Sequence, residues 1–424
     1  MKMRVKKMLG VAAALTAMLG LAACGNDEGT NGNAQPEVST EQSENQPFAG
    51  ETLVFWVDEG QVAGVEDAIA SFEAYHDVNI VIEERAFAGQ LEDLTLDGPA
   101  GIGADVVSVP SDQIPMAVLQ GLLLELNLDS SVTGIFSEGA LDSQIAEGGL
   151  FGLPYAVETQ LLFYNRDLIS SEDLPQSFDE WYDVSQGFVE DGQFGLLALL
   201  DQIYYTYGIM AQYGGYIFGR DGVDYDVTDI GLNNEGSLAA MEYLTRFYGS
   251  GTFPAGIIGP SGISVLDGLF EEGMAAAVIS GPWNLSRFAD AGIDFGVAPL
   301  PMLGNGERMA SFFGVKGYSV SSFATNTELA TLFVTYLTNY ENSLVRYEKT
   351  GEVPALAGSG SDSDVAKAMN VQMEALVHMP RIAAMNEVWS IDERLQTIAS
   401  GAATPQEALD EAVSIISQQI TANH

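Results

Sequence analysis

The single cysteine of this chain, Cys24, limits what everything after it can fold into. Met1-Lys2-Met3-Arg4-Val5-Lys6-Lys7 is basic, and Met8 to Ala23 is almost wholly small and apolar. A charged n-region, a short h-region and small residues before a cut site make a secretory signal. The h-region falls short of the roughly 20 apolar residues that a bilayer span needs. A cysteine at the cut site reads as a bacterial lipoprotein box, in which the thiol takes a diacylglycerol and the chain is cleaved just before it. An ordinary signal peptide with a chance cysteine is the alternative. With Cys24 lipidated, the exported domain can form neither a disulfide nor a cysteine metal site. Its fold must then rest on an apolar core, which 47% apolar residues and this length can supply.

The formal charge is −43, and the mature chain is more negative still once Lys2, Arg4, Lys6 and Lys7 leave with the signal. Such a surface repels a phosphate backbone, so nucleic acid is excluded as a partner. The acid load reads as a solvated surface suited to high salt or high external pH. No Asp-x-Asp-x-Asp-Gly calcium loop is present, and no metal is expected. Residues 25–46 are polar and rich in Gly, Asn, Glu and Ser, a composition that cannot offset its own ordering entropy. The expected plan is a signal over 1–23 and a lipidated cysteine with a flexible linker over 24–47, followed by folded chain.

The folded part alternates strands and helices. Leu53 to Val57, Val78 to Ile82 and Asp105 to Val109 are short apolar runs of the buried-strand kind, with a helical face of Val65, Ile69 and Phe72 between the first two. Strand, helix, strand implies a parallel sheet. Ile114 to Gln120 reads as a short helix closed by Gly121. A second α/β stretch begins near Tyr155, with strands at Gln160 to Tyr164 and Ala275 to Ile279. Its helices are expected over Phe178 to Val189 behind Ser177, over Leu238 to Tyr248, over Leu329 to Tyr340 and over Pro405 to Ile420. Gly358-Ser359-Gly360-Ser361 marks a hinge or surface turn.

The three histidines, His76, His378 and His424, sit in no nucleophile pattern, and neither a Gly-x-Ser-x-Gly elbow nor a Walker loop occurs. No cofactor is expected. Acids are too many for a close carboxylate pair to signal a glycosidase. More informative are aromatics beside turn residues: Trp283 after Gly281-Pro282, the cluster Tyr204, Tyr205 and Tyr207, Tyr155 after Pro154, and Trp389 on an expected helix downstream of Pro380. Flat rings at such places can stack on the apolar faces of sugars while acids and amides take the hydroxyls. Core packing is the competing reading, and it is the one that suits Trp56 and Trp181.

Several segments run in an order that resembles the extracellular solute-binding family serving sugar importers of the ABC class, most closely maltose- and maltodextrin-binding proteins. They are Leu53-Val54-Phe55-Trp56, Asp105-Val106-Val107, Gly121-Leu122-Leu123, Leu153 to Glu158, Tyr164 to Leu168, Gly214-Gly215-Tyr216, Gly281-Pro282-Trp283, Phe295 to Pro301, and Met385 with Trp389. The resemblance implies an α/β, two-lobed periplasmic-binding-protein-like fold. Each lobe would be a mixed, mostly parallel sheet flanked by helices, and hinge crossings would join the lobes. Residues 48–157 and 313–362 would form the N-terminal lobe, and 158–312 and 363–424 the C-terminal lobe. Carried over by position, Trp283, Trp389 and Tyr204 would be ring platforms. Glu158 and Asp112 would accept from sugar hydroxyls, and Tyr155, Asp58 and Glu59 would complete the site. Departures at Val109, Gln113 and Gln202-Ile203 put chain length, linear or cyclic form and sugar identity in question. The expected protein is thus not an enzyme. It is a monomeric, lipid-anchored receptor on the outer face of the cell membrane that delivers a maltodextrin or related oligosaccharide to the transmembrane subunits of an ABC permease. A receptor for another sugar, including a cyclodextrin, a surface glycoside hydrolase and a structural lipoprotein are the alternatives.

Overall fold

The computed structural model describes residues 47–222, 224–358 and 363–423. The expected signal, Cys24 and the linker up to residue 46 lie outside the described residues, as do Ser359 to Ser361 of the Gly/Ser turn and His424.

Two separate sheets organise the rest. The first has five strands in the order Asn79–Arg85, Thr52–Asp58, Val106–Pro110, Gly314–Val320, Leu153–Glu158. Thr52–Asp58 runs parallel to both its neighbours, whereas Gly314–Val320 is antiparallel to Val106–Pro110 and to Leu153–Glu158. The second has four strands in the order Phe295–Ala298, Leu161–Asn165, Ala275–Ser280, Phe194–Leu197, with only Leu161–Asn165 reversed. Each sheet is therefore mixed, with two of the four pairings parallel in the first and one of the three in the second, fewer parallel pairings than expected. The central strands, Val106–Pro110 and Ala275–Ser280, are buried along almost their whole length, as continuous apolar runs covered by helices on both faces should be.

The apolar cores divide in the same way. One joins Leu161 through Phe312 to Ala368 through Ile420, and another joins Phe48 through Ala156 to Val315 through Leu356. A third, smaller cluster lies on the other face of the first sheet around Trp56 and Val109. The chain passes between the two large cores near residues 158–161, near 312–314 and after Leu356. This is the two-lobed binding-protein fold.

Local signals explain most elements. Ser177 starts Phe178–Glu190 with a full capping box, accepting from the Glu180 N–H while Glu180 reaches back. The helix expected over Leu329 to Tyr340 is Thr327–Leu337, and Asn339, accepting from the Asn342 N–H, starts a further, unexpected helix over Tyr340–Thr350. Trp389 does not lie in an α-helix. It opens a 3-10 turn, Trp389–Ile391, wedged between two short helices. Trp56 and Trp181 are fully buried.

Candidate functional site

A cleft of about 1390 Å³ opens between the two cores and is lined from both. That exceeds the roughly 300–1,000 Å³ of a common small-molecule pocket and suits an elongated ligand. The first lobe supplies residues where strands end: Asp58 and Glu59 behind Thr52–Asp58, Ser111, Asp112 and Gln113 behind Val106–Pro110, and Glu158 closing Leu153–Glu158. Carboxyl ends of strands are where open α/β sheets place their ligands.

The second lobe brings the rings. Tyr204 stands in the first turn of helix Ile203–Gln212, whose start is held by Asp392 accepting the Ile203 N–H at 2.7 Å. Gln160, on the crossing, donates to the Tyr204 carbonyl at 2.6 Å. Trp283 sits in the 3-10 turn Pro282–Asn284 that follows the buried strand Ala275–Ser280. A Cβ on Gly281 would lie 2.0 Å from the indole, so only glycine lets the ring fold back over the turn. Asn284 fixes that turn by donating to Asp267 at 2.9 Å and to Ser280 at 3.0 Å, and Arg287 grips the same Asp267 at 2.5 Å. Trp283 meets Tyr204 with ring centres 6.2 Å apart and planes 62° open, and Trp389 lines the same cleft. Both indoles are half-buried.

Electrostatics set the mood of the cleft. Burial pushes the Asp112 carboxyl up to about 6. It pushes Asp267 up to about 6 against the pull of Arg287, and Asp392 up to about 7 against the Ile203 N–H. Asp58 and Glu158 are also raised by burial, with Lys316 opposing. The Tyr204 hydroxyl, raised well above its ordinary value by burial and then by Glu158, has no hydrogen-bond partner among the described residues. The walls thus combine exposed ring faces with acceptor-rich carboxylates, a surface for an uncharged polyhydroxylated ligand. Among the described residues no group of His, Cys, Asp and Glu could hold a metal.

Seven of the eight residues singled out in the sequence therefore meet in one cleft: Asp58, Glu59, Asp112, Glu158, Tyr204, Trp283 and Trp389. Tyr155 does not line it and needs correction. The strand is bulged there, with Lys316 opposite Ala156 and Gly317 opposite Pro154. The extra residue turns into the core, 3% exposed, and stacks on Tyr318 at 4.1 Å with planes 17° apart. Sequence reading missed Lys316, Phe87, Phe313, Asp267, Arg287 and Asp392. Only Phe313, beside a glycine at a strand start, carried the aromatic-at-a-turn signal that found the others.

The bacterial extracellular solute-binding protein model matches residues 67–375. The chain belongs to that family. Its members bind and carry solutes rather than transform them. A galactooligosaccharide-binding protein of Bacillus subtilis is 46% identical over 96% of this chain and 95% of its own length. A maltooligosaccharide ABC transporter solute-binding lipoprotein of Streptococcus pneumoniae is 31% identical over 87% of this chain and 88% of its own. Among solved structures, MalX from Streptococcus pneumoniae in complex with maltopentaose superposes with a TM-score of 0.79 at 30% identity, covering 87% of this chain and all of that one.

Proposed function

We propose that this protein is the extracellular receptor of an ABC importer and that it captures a galactooligosaccharide between its lobes. The observation that carries the sugar class is the near-full-length 46% identity to the galactooligosaccharide-binding protein. The cleft supports it: Trp283, Trp389 and Tyr204 are available to stack on pyranose faces, and Asp58, Asp112 and Glu158 to accept from hydroxyls. Lobes 48–157 with 313–362 and 158–312 with 363–424 close around the ligand. Sugar touching both lobes binds the closed form best and so shifts a hinge equilibrium. The closed monomer docks on the permease subunits, tethered to the membrane by a lipid on Cys24, as the name of the streptococcal lipoprotein suggests for that relative.

Maltodextrin is the second reading, favoured by the likeness to the maltopentaose-bound structure. Isothermal titration of the chain with β-1,4-galactotetraose and maltotetraose separates them. The proposal expects galactotetraose to bind about tenfold or more tighter, a difference of about 1.4 kcal/mol. The reverse order establishes the second reading, and no heat with either sugar removes both.

A further inference from the structure

A buried cation stands at the floor of the cleft. Lys316, on strand Gly314–Val320, is 2% exposed, yet it lines the cavity. Its ammonium lies 3.2 Å from Glu158, 3.7 Å from Asp58 and 2.9 Å from Glu352, and 5.0 Å from the centre of the Phe87 ring. Glu352 is shared with Arg346 at 2.8 Å, and Arg346 donates to the Tyr155 carbonyl. The phenols of Tyr155 and Tyr318 face the same charges, and that of Tyr204 feels Glu158 and Lys316 from the cleft side.

Topology makes this arrangement specific. Glu158 ends the strand next to that of Lys316, but Asp58 ends a strand two places away on the other side, beyond Val106–Pro110. Neighbouring strands lie about 4.8 Å apart, so a short side chain on Gly314–Val320 could not meet both. The long lysine stem does. Glu352 and Arg346 anchor it from below and are buried away from the cleft, whereas Asp58 and Glu158 face it.

We propose that Lys316 is a positioning residue for ligand binding, gathering Asp58 and Glu158 from strands that do not touch and fixing both as hydrogen-bond acceptors on the cleft floor. An ionised carboxylate only accepts, and its bonds to hydroxyl donors are the stronger, charge-assisted kind. Burial by itself favours the protonated form of both acids, and Lys316 is what opposes it. Arg346 alone cannot replace it, because three carboxylates would then share one cation. The ligand class follows from the same geometry. Two fixed acceptors suit neighbouring hydroxyls of one neutral sugar ring and reject a uronic acid, whose carboxylate would meet like charge.

This inference rests on the oligosaccharide reading of the cleft, and the test keeps the two apart. Galactotetraose and maltotetraose are titrated calorimetrically into the full chain at about pH 8–9 in buffers of different ionisation heat. With Asp58 and Glu158 already ionised, the wild type should take up and release no proton on binding; exchange of about one proton overturns the proposal. Lys316→Met should bind more weakly near neutral pH and regain affinity as pH rises, by up to about tenfold per unit for one coupled proton. Lys316→Arg, which keeps the charge, should restore the wild-type profile. A Lys316→Met profile parallel to the wild type, or a Lys316→Arg profile steeper than the wild type, also overturns it. If Lys316→Met does not fold, the wild-type proton count decides alone. Failure of the wild type to bind either sugar refutes the oligosaccharide reading instead.

Discussion

Removing the Trp283 indole is the sharpest perturbation of the cleft. The ring is half-buried and stands on a turn fixed by Asn284, Asp267 and Ser280, so truncation leaves the scaffold in place. A sugar covering one face would bury on the order of a third of the ~150–250 Å² an aromatic side chain can bury. At ~25 cal/mol per Å² that is about 1.5 kcal/mol. The preferred ring geometry adds about 1 kcal/mol. Trp283→Ala should therefore cost about 2.5 kcal/mol, a rise in Kd of roughly 70-fold. Isothermal titration with galactotetraose at fixed salt measures it, and the melting temperature checks that the variant stays folded. A folded variant with Kd within about threefold of the wild type would show that no sugar sits on this ring, and the stacking argument would fail.

The Tyr204 hydroxyl is desolvated without a partner among the described residues, so Tyr204→Phe should hold or raise the melting temperature while lowering sugar affinity by about tenfold, read by paired melting and titration. Asp392, at about 7 folded and about 3.9 unfolded, lets the folded state bind the extra proton. Its contribution is complete below about pH 4 and is lost as pH rises through about 7. Asp392→Asn keeps an acceptor for the Ile203 N–H and should raise the melting temperature at pH 8 but not at pH 4; an equal shift at both would contradict the pH argument. A Cβ on Gly208 would lie 1.8 Å from the Ala310 carbonyl, so Gly208→Ala must push helix Ile203–Gln212 away from the Ala310–Ser311 backbone. It should cost about 1–3 kcal/mol in denaturant unfolding and weaken sugar binding through Tyr204.

What sequence made legible follows how local each signal is. Val106–Pro110 and Ala275–Ser280 are bare apolar runs, and Ser177 with Glu180 is a complete start signal, so these elements could be read residue by residue. Trp283 was legible because a glycine and a proline force a turn there. Tyr155 was not, because a one-residue bulge set by the partner strand decides which way it points. Lys316 was invisible for a related reason. Within Gly314–Val320 it is one charge in an apolar strand, and its partners at 58, 158 and 352 arrive only when the chain weaves between lobes. The hairpin Phe218–Asp221 and Asp224–Ile230, which carries the cleft residue Tyr225, is buried only at Phe218 and Ile230 and shows no clean alternation between them, and it was missed.

The account stands on sugar rings held between the lobes against Trp283 and Trp389. A crystal structure of the chain grown with galactotetraose addresses this directly. Pyranose faces lying on both indoles, with hydroxyls of one ring on Asp58 and Glu158, is the predicted result. Bare indoles, with the sugar bound outside the cleft or nowhere, would contradict it.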